Sequence, residues 1–316
     1  MMLVCGEALI DLIVRPDDPS GTSLSACTGG SPLNVATGIA RLGTSAAFLG
    51  GISTDYFGDL IMQFAISEKI DTTLVKRTTR PTPLVAVATD TLGHPSYYFY
   101  SHETAEQDLT PEDLPSKLPA AIEVIAMGSY TLAIEPIGST LLALAQRERQ
   151  LRVISLDPNL RPAMVGSLEI WRERFENVAR CATIIKLSEE DLMLGWGPHA
   201  DIEVLVGNWL ANGVSLVAMT KGASGATAWW PGGQVTLPGR TVQVVDAVGA
   251  GDSFHAALLA RMAQQGVLNR AALAKLDIPE VEDAIRYANA AAAFTCSRRG
   301  ADLPRRAEVE AALNAD

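Results

Sequence analysis

The sequence is poor in the features that mark several common protein classes. Its four cysteines, Cys5, Cys27, Cys181 and Cys296, lie far apart in 316 residues and form no Cys-x-x-Cys pair. They read as reduced, mostly buried thiols rather than a disulfide framework. The four histidines, His94, His102, His199 and His255, have no metal-ligand spacing and read as surface or core residues. No apolar run is long enough to span a bilayer. The opening MMLVCGEALIDLIV carries neither a basic leader nor a small-residue cleavage site. A cytoplasmic protein with no membrane partner is therefore expected. Basic residues number 25 against 36 acidic ones, and the formal charge of -11 comes without any basic stripe. That argues against a nucleic-acid partner. There is no internal repeat or low-complexity linker, so residues 1–316 read as one domain.

What the chain does contain is 48% hydrophobic residues arranged in short, alternating runs. Leu3–Val14 reads as a strand, and Val35, Ile39 and Leu42 mark one face of a helix beginning near Leu33. Ser45–Leu49 is a short apolar strand, followed by a helix over Tyr56–Lys69. Leu84–Ala88 and the aromatic run in GHPSYYFY suggest a hairpin, the part least like a helix–strand alternation. From residue 120 the rhythm is regular. Strands are predicted over Ile122–Met127, Arg152–Leu156, Thr183–Leu187 and Ser215–Met219. Helices are predicted over Ile137–Gln146, Glu169–Ala179 and Asp201–Ala211. Such alternation predicts an α/β fold, with a doubly wound, mainly parallel sheet flanked by helices. Ala226–Trp230 and Gln234–Leu237 form a further hairpin, turned by Pro231-Gly232-Gly233. A helix over Val281–Ala293 closes the pattern.

The segment VVDAVGAGDSFHAALLARM, residues 244–262, places small residues and a carboxylate between a β-like and a helix-like run. Phe254, Leu258 and Met262 recur at i, i+4, so a helix starts near Gly251 or Asp252. Gly249 and Gly251 let the backbone approach a ligand, and first-turn amides with the helix dipole suit an anion. A plainer reading remains open, in which Asp252 only stabilises a helix start. Two nucleotide motifs are missing. There is no Gly-x-x-x-x-Gly-Lys-Ser/Thr run, and Gly249-x-Gly251 lacks the third glycine of a dinucleotide fingerprint and lies late in the chain.

Asp246-Ala-Val-Gly-Ala-Gly-Asp252 resembles the carboxyl-terminal signature of the ribokinase-like, or PfkB, sugar kinases. Gly29-Gly30-Ser31-Pro32-Leu33-Asn34-Val35-Ala36, followed by Leu42-Gly43, resembles their amino-terminal signature. The two stand in the family order, over 200 residues apart. The resemblance spans essentially the entire chain and implies a ribokinase-like fold with a small β-sheet lid formed by segments of about 12–30 and 84–103. It implies ATP as phosphoryl donor with Mg²⁺. Asp252 would be the catalytic base, and the amides of Ala250 and Gly251, beside the flexible Gly249, would form the anion hole for the transferred group. Asp11 and Asn34 would bind sugar hydroxyls, with the Gly29-Gly30 backbone close to the sugar.

The resemblance extends to shorter runs. Asp157-Pro158-Asn159-Leu160-Arg161 is similar to a run in fructokinase-like and 2-keto-3-deoxygluconate kinase-like members, where Arg161 would contact phosphate or an acidic substrate and Asp157 would be structural. Lys186-Leu187-Ser188-Glu189-Glu190-Asp191 stands where the family has Asn-x-x-Glu. Lys186 and Ser188 are then nucleotide-site candidates, and Asp191 would act on Mg²⁺ through water. The sequence departs from the family here, with Ser188 for asparagine and Asp191 for glutamate. Thr220, Gly222 and Gly225 resemble the family's Thr-x-Gly-x-x-Gly turn near the ATP phosphates, and Asn289 falls in the stretch expected beneath adenine. Asp246 and Val248, with Cys296 and Gly300-Ala301, lie where many members bind potassium. Val248 leaves backbone ligation intact but offers no hydroxyl.

In the aromatic run, Tyr98 and Tyr100 are expected to close over the sugar. The lid of this family often mediates pairing, so a homodimer is expected. Fructose is the first choice of substrate and 2-keto-3-deoxygluconate the alternative. A binding-only protein with a lost catalytic residue is disfavoured by the retained Asp252 and Gly-Ala-Gly.

Overall fold

The computed structural model describes residues 1–15, 23–89 and 95–314. The chain opens with strands β1 (Met2–Cys5), β2 (Leu9–Arg15) and β3 (Ser23–Gly29), then helix α1 (Ser31–Arg41). β4 (Ala46–Leu49) and β5 (Gly51–Ser53) precede α2 (Tyr56–Ser67), and β6 (Lys76–Thr78), β7 (Leu84–Thr89) and β8 (Pro95–Tyr100) follow. The alternation then runs β9 (Val124–Gly128), α3 (Ile137–Glu148), β10 (Val153–Asp157), α4 (Pro162–Val165), α5 (Leu168–Ala179) and β11 (Ile184–Ser188). It continues through α6 (Glu189–Trp196), α7 (Ile202–Ala211), β12 (Leu216–Thr220), β13 (Ala226–Trp230) and β14 (Gly233–Leu237). Four helices end it: α8 (Ala250–Gln264), α9 (Arg270–Leu273), α10 (Ile278–Cys296) and α11 (Arg306–Asn314).

Among the described residues, eight strands form one sheet in the order β14-β13-β12-β11-β10-β9-β1-β4. Pairing is parallel from β4 to β12 and antiparallel at β13 and β14. Both faces of its parallel part are covered, so those strands are short and buried along nearly their whole length, as parallel strands between helical layers must be, while the antiparallel edge strand β14 is largely exposed. Alternation sorts the side chains. Val4, Ala126, Val153, Ile184 and Ala218 pack with α1, α8 and α10, whereas Leu3, Ile125, Ile154, Ile185 and Val217 pack with α3, α5 and α7. Each buried aliphatic side chain contributes about 1.5–3 kcal/mol. The same period of two turns Ser155, Asp157 and Lys186 toward α8, an apolar layer into which the sequence has placed polar groups.

A second, four-stranded sheet has the order β3-β2-β7-β8 and stands on the carboxyl-end side of β1. Residues 16–22 and 90–94, which include His94, lie outside the described residues.

Two helix starts differ from the sequence reading. α1 begins at Ser31 rather than near Leu33, because Pro32 is tolerated in a first turn where its missing N–H has no intrahelical role. α8 begins at Ala250, with Gly249 as its N-cap in the left-handed region at φ +77°. α1 and α8 pack closely because a Cβ on Gly38 would lie 2.6 Å from the Ala256 methyl. That contact brings their N-termini side by side, at the sheet edge where strands end and ligands of open α/β sheets bind.

Candidate active site

Asp252, in the first turn of α8, is buried and held by both of its oxygens. Ser31 Oγ donates to Oδ1 at 2.6 Å and Asn34 Nδ2 donates to Oδ2 at 2.8 Å. Both donors come from the first turn of α1, so the two helix starts share one carboxylate. Ala250 N donates to the Ala247 carbonyl at 3.2 Å, so that amide belongs to the turn launching the helix.

Asp11, on β2, lies over Gly29 on β3. A Cβ there would sit 2.2 Å from Asp11 Oδ2, so only glycine leaves the carboxylate its position. Gly30 has φ +102°, and its added Cβ would stand 2.8 Å from the Glu7 carbonyl. Burial pushes Asp11 up to about 6, and the charge of Asp252 adds to the shift. Asp11, Gly29, Gly30, Asn34 and Asp252 are therefore gathered at the start of α1.

Behind the α8 turn, Lys186 Nζ donates to Asp157 Oδ2 at 2.8 Å, and both side chains are buried. Burial opposes the lysine's charge, but Asp157, Asp191 and Asp252 outweigh it and raise its pKa. A Cβ on Gly251 would lie 3.1 Å from Nζ. The ammonium thus sits directly against the Gly-Ala-Gly turn, where its charge adds to the positive potential that the helix start offers an anion.

Asp191 is placed differently from the sequence expectation. It is buried, with Oδ1 accepting from Leu160 N at 2.7 Å and Oδ2 from Ser188 N and Oγ. It caps α6 and ties β11 to the 157–161 turn, because an aspartate is too short to reach past the first turn it closes. The exposed carboxylates at this helix start are Glu189 and Glu190. Arg161 lies at the rim, its guanidinium 3.1 Å from the Leu160 carbonyl.

At the other end of the cleft, Thr220–Gly225 forms a closed turn in which Lys221 N donates to the Gly225 carbonyl at 2.7 Å. Gly222 and Gly225 have φ +53° and +92°, and a Cβ on Gly225 would strike the Leu237 carbonyl at 2.1 Å. That close passage brings the exit of β14 over the turn. Beside it is a cavity of about 470 Å³ lined by Pro238, Arg240, Thr241, Arg286, Asn289 and Leu313 among others. Asn289 donates to the Pro238 carbonyl at 3.1 Å. Asp246 organises the neighbouring loop, accepting from Val248 N at 3.0 Å and Gly300 N at 2.8 Å, while Val245 and Asp246 amides donate to the Cys296 carbonyl.

The aromatic expectation needs correction. In β8, Phe99 pairs with Val85, which pairs with Asp11, so Tyr97 and Phe99 share the face of Asp11. Tyr98 and Tyr100 project from the opposite face and are exposed. Tyr97 is close enough to Arg161 and Asp11 to feel both charges. Strand alternation decides this, and a one-residue choice of register moves an aromatic to the wrong side. Sequence reasoning also missed Ser31, Tyr97 and the arginines Arg240 and Arg286. Ser31 was readable as a hydroxyl in a helix's first turn; the arginines carried no local signal.

The chain matches the pfkB family carbohydrate kinases over residues 1–307. A fructokinase of Rhizobium leguminosarum bv. trifolii is 37% identical over 307 residues, covering 97% of this chain and 91% of that one. One from Klebsiella pneumoniae is 34% identical over 275 residues, 86% and 87% of the two chains. Among solved structures, the fructokinase of Xylella fastidiosa with bound ATP has a TM-score of 0.91 at 28% identity, covering 99% of this chain and 98% of that one. A fructokinase double mutant of Vibrio cholerae O395, bound to fructose, ADP and potassium ion, has a TM-score of 0.85 at 30% identity, with 99% and 97% covered.

Proposed function

The chain belongs to the pfkB family of carbohydrate kinases, and from that premise we propose that it transfers the γ-phosphoryl group of ATP to a hydroxyl of fructose. It is an ATP-dependent sugar kinase with a ribokinase-like fold. The observation that carries the assignment of roles is Asp252, held on both oxygens by α1 at the start of α8 and close enough to Asp11 to act on its titration.

Asp252 accepts the proton of the sugar hydroxyl as its oxygen bonds to the γ-phosphorus and the bond to the ADP oxygen breaks. Charge developing on the transferred group meets the Gly251 end of the turn and the Lys186 ammonium, with Gly249 and Ala250 shaping the approach. Asn34 and Asp11 orient the hydroxyls over Gly29 and Gly30. Tyr97 covers them, and Arg161 stands at the rim where phosphate charge passes. The four-stranded sheet serves as the lid, closing to exclude water. Tyr98, Tyr100 and Leu24 on or near its exposed side suit pairing with a second copy.

The nucleotide lies along the other half of the cleft, its phosphates toward Thr220, Gly222, Gly225 and Ser188 and its base in the cavity beside Asn289. Among the described residues no three His, Cys, Asp or Glu side chains cluster to hold a metal. That fits Mg²⁺, which is commonly held by substrate phosphates and water with one or two carboxylates. Glu189 and Glu190 would supply the carboxylates, with Asp191 steadying their helix, and the ion would neutralise phosphate charge. A potassium ion would suit the oxygen-rich turn of Asp246 and Val248.

The test is a coupled ADP-release assay with Mg-ATP over fructose, 2-keto-3-deoxygluconate, ribose, tagatose and adenosine, with and without potassium. A preference for fructose is expected. Preference for the keto-deoxy acid would replace fructose and make Arg161 a carboxylate reader.

A further inference from the structure

Beneath the first turn of α8, the side chains of Ser155, Asp157, Lys186 and His255 are buried together. His255 Nε2 and Ser155 Oγ are 2.7 Å apart. Two atoms of the group have no hydrogen-bond partner among the described residues, Asp157 Oδ1 and His255 Nδ1. The imidazole cannot supply the missing bond itself, since Nδ1 is 3.7 Å from Asp157 Oδ2. Buried polar atoms are rarely left unmatched, and a water molecule is the usual partner.

Room for one exists. A cavity of about 10 Å³, the space of a single water, is lined by Ser31, Asp157 and His255 along with Val4, Pro32 and Val35. Its polar lining comes from three elements, and one of those residues, Ser31, already donates its hydrogen to Asp252. We propose that this cavity holds one buried water that links His255 to Asp252 through Ser31, making His255 a positioning residue for the base.

The donors and acceptors run in one direction. Burial, reinforced by Lys186, lowers His255 to about 3, so the ring is neutral and has one N–H. Ser155 Oγ–H donates to Nε2, which places the ring hydrogen on Nδ1. That N–H donates to the water, and the water donates to Asp157 Oδ1 and to Ser31 Oγ. Ser31 Oγ–H donates to Asp252 Oδ1. Each hydrogen is used once, and the water makes three bonds. Bonds in such a chain polarise one another, so the water fixes the Ser31 rotamer and strengthens its grip on Asp252. The role given to His255 rests on Asp252 being the base; the water and the tautomer do not.

The experiment has two parts that separate these dependences. A crystal structure that resolves ordered waters, with ¹⁵N imidazole shifts of the wild-type protein, should show the water in contact with Asp157 Oδ1 and a His255 ring protonated at Nδ1. A dry cavity, or a ring protonated at Nε2, overturns the proposal without touching the kinase assignment. In the second part, His255→Leu should lower kcat about threefold to tenfold with fructose KM unchanged, and Ser31→Ala should lower it by at least as much. Combined, the two should cost no more than Ser31→Ala alone, because both act through one chain. Losses that multiply, or that fall on KM, overturn the positioning role. Asp252→Asn run alongside reports on the base: full activity there would sink the mechanism while leaving the hydration result standing.

Discussion

Asn34 Nδ2 donates to Asp252 Oδ2 at 2.8 Å across 218 positions of sequence, so the two glycine-bearing signatures meet on one carboxylate. With Ser31 on the other oxygen, the acid is fixed before any sugar arrives. Preorganisation of this kind lets a weak base accept a proton late in phosphoryl transfer without first reorienting.

Asp252→Asn keeps the size of the side chain and removes its basicity. A general base is worth about 10²–10⁴ in rate, so kcat should fall by that factor while ATP and fructose still bind. Calorimetric titration of both ligands alongside turnover checks this. A loss under tenfold would take Asp252 out of the proton transfer.

Two neighbouring glycines should fail in different ways. Gly249 has φ +77°, and an added methyl would meet the Ala301 Cβ at 2.7 Å, so Gly249→Ala strains the backbone as well as the contact. A cost of about 1–3 kcal/mol is expected, visible as a Tm lowered by several degrees. Gly251→Ala meets only the Lys186 ammonium at 3.1 Å. It should leave Tm nearly unchanged and lower kcat at least tenfold by displacing that charge. Equal Tm losses in both would refute the separation.

The register of β8 assigns distinct tasks to adjacent tyrosines. Tyr97→Ala should raise the fructose KM about fivefold or more, since this ring shares the face of Asp11. Tyr98→Ala and Tyr100→Ala, on the other face, should leave KM within about twofold and weaken self-association in sedimentation measurements. The reverse pattern would mean that the register does not describe the closed enzyme.

The fold was legible because its signals are local. Buried runs such as Ile184–Leu187 and the helical spacing of Phe254, Leu258 and Met262 depend on neighbours in sequence. The glycines at 30 and 249 were legible because the backbone there turns to positive φ, whereas the role proposed for Asp252 came from the resemblance of its run and not from any local conformational demand. What escaped was the partnering of distant residues. Nothing near Ser31 announces a bond to Asp252, and nothing near Lys186 announces Asp157. Tyr97 was missed for another reason: an unbroken aromatic strand offers both faces equally, and only pairing with β7 decides between them. Asp191 stood at the expected place in the chain, but its short side chain turned back to cap its own helix.

Glu7 provides a test that does not involve catalysis. It is fully buried next to Gly30, and burial pushes its carboxyl up to about 8 against the opposing hydrogen bond of Ser129, with Glu106 and Asp252 adding to the rise. In the unfolded chain the group titrates near 4.5. Below that value both states are protonated and Glu7 gives no pH dependence. Between about 4.5 and 8 the native state holds a proton that the unfolded chain has released, so stability must fall as pH rises, by about 1.4 kcal/mol per pH unit for a single group. Above about 8 both states are ionised and the slope ends. Glu106, raised to about 7 by burial, adds to the lower part of the same window. Glu7→Gln retains the shape and cannot ionise. Scanning calorimetry from pH 5 to pH 9 should therefore show Tm of the wild type declining relative to Glu7→Gln up to about pH 8, with the two curves parallel above it. If the difference between them is flat, or grows in favour of the wild type as pH rises, Glu7 is ionised in the folded protein and its buried oxygen must have a cationic or hydrogen-bonding partner supplied from outside the chain.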